Sequence, residues 1–271
     1  MRANLVNPAN AIRPVRKTRL ADYALAFQTT ALPTIAGNCS AAAFCPVTDT
    51  FIVSDNGVPV LHEFRLDGTY RRQITLSGFT DVESVCWIEG DRFAIAEEGN
   101  PTVVNAISEV QIPATGVVTI TKGAGNWIRT INTGIVSGGN LALEGVTYDA
   151  TRQKFYCVTE KANAGVWNVW QVARGGGATT QLFSLNGPMT GVGTDVSDLH
   201  YDPVEDILYV LSQEGFKVIK MSMSGQILDT LATPAAFPQP EGLCLSPDLS
   251  LMIVTGEARC YARYQLNPAK K

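Results

Sequence analysis

A pair of apolar segments joined by a short turn occurs five times along the 271-residue chain, and this repetition limits the fold more than any other feature. Each copy opens on a small or acidic residue, runs through an apolar stretch toward an aromatic or apolar position, turns, and ends its second apolar stretch near an acid. The copies are 39–44 leading to 51–55, 82–87 to 93–97, 143–148 to 156–160, 196–201 to 209–214 and 240–245 to 252–257. Counted from Ser40, Glu83, Glu144, Ser197 and Glu241, successive copies start 43, 61, 53 and 44 residues apart, a period typical of propeller blades. Two further strands are expected after each pair. Segments 60–66 and 70–76 flank Asp67-Gly68, and 216–223 and 226–231 flank Ser224-Gly225, both hairpin signals. In the third copy, 166–173 precedes the turn-forming run Gly175-Gly176-Gly177.

These repeats predict an all-β, five-bladed β-propeller of four-stranded antiparallel blades, with six blades as the alternative if residues 101–140 form a blade of their own. The fifth copy runs out after a third strand at 260–266, while an apolar strand at 23–28 precedes the first copy. Pairing the two closes the ring and removes an open sheet edge, so residues 21–29 are expected to complete the fifth blade. The domain organisation that follows is a basic N-terminal arm, 1–20, and a propeller domain, 21–271.

Composition agrees. With 24 glycines, 14 prolines and 17% charged residues, the chain is turn-rich and poorly suited to a coiled coil or to disorder. Nothing in the first twenty residues reads as a secretory leader, and no stretch has the length and apolarity of a membrane span, so cytoplasmic synthesis is expected. The six cysteines form no C-x-x-C pair and mostly lie among apolar strand residues, as buried free thiols would.

Several ordered segments carry a family resemblance. Asp81-Val82-Glu83-Ser84, Leu143-Glu144-Gly145-Val146-Thr147-Tyr148-Asp149, Val196-Ser197-Asp198-Leu199-His200-Tyr201-Asp202-Pro203 and Phe237-Pro238-Gln239-Pro240-Glu241-Gly242-Leu243 together resemble the SdiA-regulated (YjiK-like) β-propeller family, as do Ala96-Glu97-Glu98 and Thr159-Glu160-Lys161. The resemblance spans about residues 38–267 and implies the propeller fold without implying a reaction. The chain departs from the pattern at Ser84 and Asp198, which replace the usual glycine after the first-strand acid or serine.

In a propeller the innermost strand of each blade lines a central channel, so equivalent first-strand positions converge at one mouth. Here they read Ser40, Glu83, Glu144, Ser197 with adjacent Asp198, and Glu241; Asp55, Glu97, Glu160, Glu214 and Glu257 end the second strands. Crowded carboxylates repel one another unless a cation sits among them. Glu83, Glu144, Asp198 and Glu241 are therefore candidate ligands for a hard divalent cation, Ca²⁺ before Mg²⁺. The competing expectation is that these acids bond to backbone amides of neighbouring blades and to channel water. The two histidines, His62 and His200, occupy unrelated repeat positions without metal-ligand spacing, and His200 reads as structural. No G-x-S-x-G elbow or P-loop is present.

Five of the 21 basic residues and none of the 25 acidic ones fall in the first twenty positions, leaving 16 basic against 25 acidic elsewhere. Arg2, Arg13, Arg16, Lys17 and Arg19 thus form a basic arm suited to a protein partner. It lacks the interleaved aromatics of a nucleic-acid binder. The functional expectation is a non-enzymatic interaction or structural module docked through this arm, with a bacteriophage virion component (tail, collar or capsid attachment) as the concrete case. The alternative is a metal-dependent lactonase or esterase-like hydrolase acting at the acidic channel mouth, which would need an open metal position and a positioned base.

Overall fold

A computed structural model describes residues 17–55, 57–98, 105–135, 143–163, 165–235 and 237–270. The first strand among the described residues is β1 (Tyr23–Thr29). Blade 1 follows as β2 (Cys39–Cys45), β3 (Thr50–Asp55), β4 (Val60–Arg65) and β5 (Tyr70–Ser77). Blade 2 takes β6 (Val82–Glu89), β7 (Arg92–Glu97) and β8 (Ala106–Gln111), then, after β9 (Val118–Thr121), β10 (Trp127–Asn132). Blade 3 comprises β11 (Leu143–Asp149), β12 (Lys154–Thr159), β13 (Asn168–Ala173) and β14 (Thr180–Ser184). Blade 4 comprises β15 (Asp198–Asp202), β16 (Ile207–Ser212), β17 (Lys217–Ser222) and β18 (Ile227–Ala232). Blade 5 is β19 (Pro240–Leu245), β20 (Leu251–Gly256) and β21 (Cys260–Leu266), completed by β1. Helical structure among the described residues is limited to three-residue 3-10 turns.

The ring is therefore five-bladed, and closure runs through the N-terminal strand, with Tyr23 opposite Leu266 and Thr29 opposite Tyr261. Residues 105–135 do not make a sixth blade. They supply β8 and β10, the outer half of blade 2, and the intervening β9 pairs in parallel with the outer edge of blade 1, Ile74 opposite Val118. Arg71 and Arg72 hold that excursion. Both pair with the fully buried Glu63 and donate to carbonyls of Ala114, Pro113 and Gly116.

Both faces of each inner sheet are buried, which is why strands such as Phe51-Ile52-Val53 lack polar alternation. Alternate side chains feed two different interblade cores: Phe51 and Val53 pack with blade 5, and Ile52 packs with blade 2. Five such clusters exist, one per interface of the ring. Trp167, just ahead of β13, packs toward blade 4, whereas Trp170 packs toward blade 2, so the two tryptophans serve opposite faces of blade 3. All six cysteines are buried free thiols.

Arg2, Arg13 and Arg16 lie outside the described residues. The end of the arm is bound to the propeller itself. Thr18 N donates to Glu205 Oε1 at 2.6 Å, Leu20 N to Asp229 Oδ2 at 2.8 Å, and Lys220 reaches the Thr18 carbonyl while pairing with Glu205 at 2.7 Å. Leu20 is wholly buried between blades 4 and 5, and Lys17 and Arg19 are exposed.

One carboxyl joins the five inner strands. Asp198 Oδ1 accepts from Ser84 Oγ at 3.1 Å and from its neighbour Leu199 N at 2.8 Å, and Oδ2 accepts from Leu243 N at 2.8 Å. A backbone bond from Ala42 adds β2, and Ser84 Oγ in turn accepts from Val146 N of β11 at 3.0 Å. Burial pushes the Asp198 carboxyl upward in pKa, and the donors around it oppose that shift. The two departures from the family pattern, Ser84 and Asp198, are thus partners of one another.

Two outcomes are expected. A chain beginning at Ala31, without β1, loses the cooperative thermal transition seen by circular dichroism, whereas a chain beginning at Lys17 keeps it; a cooperative melt from the shorter chain would refute closure by β1. Asp198→Asn turns an amide donor toward buried N–H groups and is expected to cost about 2–3 kcal/mol in denaturant unfolding. A cost within experimental error of zero would show that the hub carries no load.

Candidate functional site

The mouth residues reach the channel through β-bulges. In β2, β6, β11 and β19 the pairing register skips one residue, between Cys39 and Ala41, Val82 and Ser84, Leu143 and Gly145, and Pro240 and Gly242. The skipped residues are Ser40, Glu83, Glu144 and Glu241. In blade 4, Ser197 N bonds Leu211 O at 2.9 Å although Leu211 is already opposite Asp198, so Ser197 holds the equivalent place. A bulge frees a side chain from the alternation of the sheet and re-aims it, here into the mouth.

The position after each bulge is tightly packed. A Cβ on Gly242 would lie 2.5 Å from the backbone of Ala41, and one on Gly145 would lie 3.0 Å from the Leu199 amide. Small residues fill this layer in four blades, Ala41, Ser84, Gly145 and Gly242, and the space they leave is occupied by Asp198.

The mouth itself is a pocket of about 420 Å³. Its acids are Glu83, Glu144 and Glu241 from the bulges, Asp81 and Glu98 beside Glu83, and Glu160 and Glu257 from the ends of the second strands; Ser40, Ser197, Gln213 and Gln239 complete the wall. No Lys, Arg or His is in this lining among the described residues. Lys161 pairs with Glu160 at 3.0 Å from outside it.

Burial is the leading cause of the raised carboxyls here, and neighbouring acids add to it. Glu83 is pushed up to about 8, with Asp81 and Glu98 contributing and a bond from Ser40 opposing. Glu241 is pushed up to about 9, with Glu257, Asp195, Glu83 and Glu160 adding to burial. Glu144 is held well above the carboxylate range by burial and then by Glu83, Glu160, Glu98 and Glu241, which places it electrically at the centre of the group.

Of the four sequence-expected ligands, the structure brings Glu83, Glu144 and Glu241 together and separates Asp198 from them. Asp198 lies one layer down the channel, is 1% exposed, and has its oxygens engaged by inner-strand donors. Among the second-strand acids, only Glu160 and Glu257 line the mouth. Asp55 caps the amides of Ala36, Gly37 and Gly57, Glu97 pairs with Lys122 at 2.7 Å, and the exposed Glu214 pairs with Lys161. The repeat reading missed Asp81 and Glu98; by strand pairing Glu98 is the blade 2 equivalent of Glu160 and Glu257, and Asp81 stands two residues before its bulge residue as Asp195 does before Ser197.

Asp81, Glu83 and Glu98 each place one carboxylate oxygen within 4.8 Å of the others. Oxygens on opposite sides of one Ca²⁺ lie about 4.6–5.2 Å apart, twice a typical bond length, so the three oxygens can share a single ion of that size. An all-oxygen, uniformly acidic donor set also matches a hard cation better than a thiolate- or imidazole-seeking metal.

Solved structures with this fold include a luciferin-regenerating enzyme, at 14% identity over 86% of this chain and 94% of that one with a TM-score of 0.55. A chain of a nidogen/laminin complex matches at 14% identity over 80% and 72% with a TM-score of 0.53, and a gluconolactonase from Xanthomonas campestris at 15% identity over 87% and 88% with a TM-score of 0.52. At these identities the likeness establishes the propeller fold. The SdiA-regulated family model matches residues 16–262, nearly the whole chain, and the protein belongs to the SdiA-regulated family of β-propellers.

Proposed function

We propose that the acidic mouth holds one divalent cation of the calcium class on Asp81, Glu83 and Glu98, and that the protein is a metal-dependent hydrolase of esters or lactones. The observation that carries this reading is the convergence of seven carboxyl side chains on one pocket whose described lining contains no basic group. Enzyme names among the structures of like fold, one of them a gluconolactonase, support it further. The attachment-module expectation loses its main support, because the described end of the basic arm is bonded to Glu205, Asp229 and Lys220 of its own chain.

A bound cation would supply charge to polarise a carbonyl oxygen. Glu144, central in the cluster and with its carboxyl held well above the ordinary carboxylate range by burial and by its acidic neighbours, is suited to take a proton from water as the hydroxide adds to the carbonyl carbon. Collapse then breaks the acyl C–O bond, the proton held by Glu144 passes to the leaving alkoxide oxygen, and the acid product gives its proton to water, so that a carboxylate and an alcohol are released. Ser40, Ser197, Gln213 and Gln239 offer neutral hydrogen-bonding groups for a hydroxyl-rich substrate.

Two measurements separate ligand from base. Ca²⁺ at one hundred times its Kd is expected to stabilise the protein by about 2.7 kcal/mol in thermal melts, and Glu83→Gln is expected to abolish that gain. Glu144→Gln should retain the Ca²⁺ stabilisation but lower kcat on a lactone and ester panel by about 10²–10⁴-fold. Absence of any turnover with Ca²⁺, Mg²⁺ or Mn²⁺, or turnover indifferent to a chelator, would overturn the hydrolase reading.

A further inference from the structure

The channel has a second cavity at its other end, and its chemistry is unlike that of the mouth. It measures about 150 Å³ and is bounded by the later residues of the inner strands and the turns that follow them, including Pro46, Ala150, Pro203 and Pro247. Counted three residues beyond each bulge, the five blades contribute Ala43, Cys86, Thr147, His200 and Cys244. One residue further they contribute a collar of Phe44, Trp87, Tyr148, Tyr201 and Leu245. No Asp, Glu, Lys or Arg is in the lining among the described residues.

Outside the collar the lining holds three polar side chains: Thr147, whose Oγ1 accepts from Tyr201 N, Ser246, whose Oγ donates to Asp248 Oδ1, and His200. The His200 ring lies tilted against Tyr209 at 6.5 Å, and among the described residues no hydrogen bond to its imidazole is found. Burial lowers its pKa to about 4, which keeps it neutral, with one ring nitrogen a donor and the other an acceptor. His200 is half-buried and its imidazole nitrogens stay within reach of water, so a ligand hydroxyl would take the place of water as their hydrogen-bond partner.

We propose that this cavity is a second ligand site, which takes an uncharged, ring-sized molecule bearing a single hydroxyl, enclosed by the aromatic collar and hydrogen-bonded to His200. Size fits the assignment: a volume of about 150 Å³ admits a ring the size of benzene. Charge fits it too. With no charged side chain in the described lining, an ion entering the cavity would lose hydration without gaining a counter-charge, and the Asp198 oxygens in the layer beneath are already engaged by amides and Ser84. The site is independent of the metal reading of the acidic mouth.

Phenol is the probe, titrated into the full chain in the presence of a chelator while imidazole nitrogen resonances are followed by NMR. With only two histidines in the sequence, His62, buried in β4, is an internal control. The His200 signal is expected to shift saturably with a Kd of about 1 mM, the scale reachable by so few atoms, while His62 stays in place. His200→Phe should weaken phenol about fivefold, to the level of toluene, the factor for one neutral hydrogen bond. Cys244→Met, whose longer side chain extends into the cavity, should weaken both. No saturable shift of His200 at ten times the expected Kd, equal shifts of both histidines, or benzoate binding as tightly as phenol would each overturn the proposal. The wild-type titration decides the matter even if a variant fails to fold.

Discussion

Five sheets arranged in a ring must agree on where the axis lies, and in this protein Asp198 enforces that agreement. A carboxylate offers two oxygens with room for several donors, and here the donors come from β2, β6, β15 and β19, with β11 joined through the Ser84 hydroxyl. Packing between blades is hydrophobic and non-directional, so it tolerates small rotations of one sheet against the next. Directional bonds to one buried group do not. The cost of desolvating that carboxyl is offset only while every inner strand keeps its register, which makes the hub a test of correct closure as well as a contributor to it.

The same layer makes the bulges useful. An inner strand that simply alternated would turn every second residue to the channel and give one chemistry along its length. Skipping one residue at Ser40, Glu83, Glu144 and Glu241 separates the mouth residue from the strand's own alternation, and the next position is then held so close to the axis that Gly145 and Gly242 have no room for a Cβ. Carboxylates crowd the outer side of this layer and aromatic side chains the inner side. The raised pKa values of Glu83 and Glu241 follow from that crowding, since each acid is removed from water by the wall that carries its neighbours.

Much of this was legible in the sequence because the repeat is local. Paired apolar segments, the Asp67-Gly68 hairpin and the unfinished fifth copy located the blades and the closing strand, and the same phase located Glu83, Glu144 and Glu241. Asp198 was misplaced by a single step. Ser197 and Asp198 both answer to the mouth position of the repeat, and only the bulge, a feature of pairing, decides between them. Glu98 escaped because Glu97 reads as the counterpart of Glu160 and Glu257 until the pairing is known, in which Val82, Leu143 and Pro240 lie opposite Glu97, Thr159 and Gly256; Asp81 has one acidic counterpart, Asp195, two residues before Ser197. The parallel pairing of β9 with β5 was beyond local reading, since it joins two blades across forty residues of chain through arginines anchored on Glu63.

Ring size ties these observations together. Propellers span about four to eight blades, and the fewer the blades, the closer the inner strands approach the axis. With five, the layer below the mouth can be closed by a single side chain, provided the other four positions stay small. Ala41, Ser84, Gly145 and Gly242 meet that condition and Asp198 uses the space. A sixth blade would move the strands outward and leave one carboxylate unable to reach donors on all of them. The narrow axis that makes a five-bladed ring hard to pack is therefore what allows one residue to seal it, and sealing it is what lets an acidic end and an aromatic end coexist in one channel.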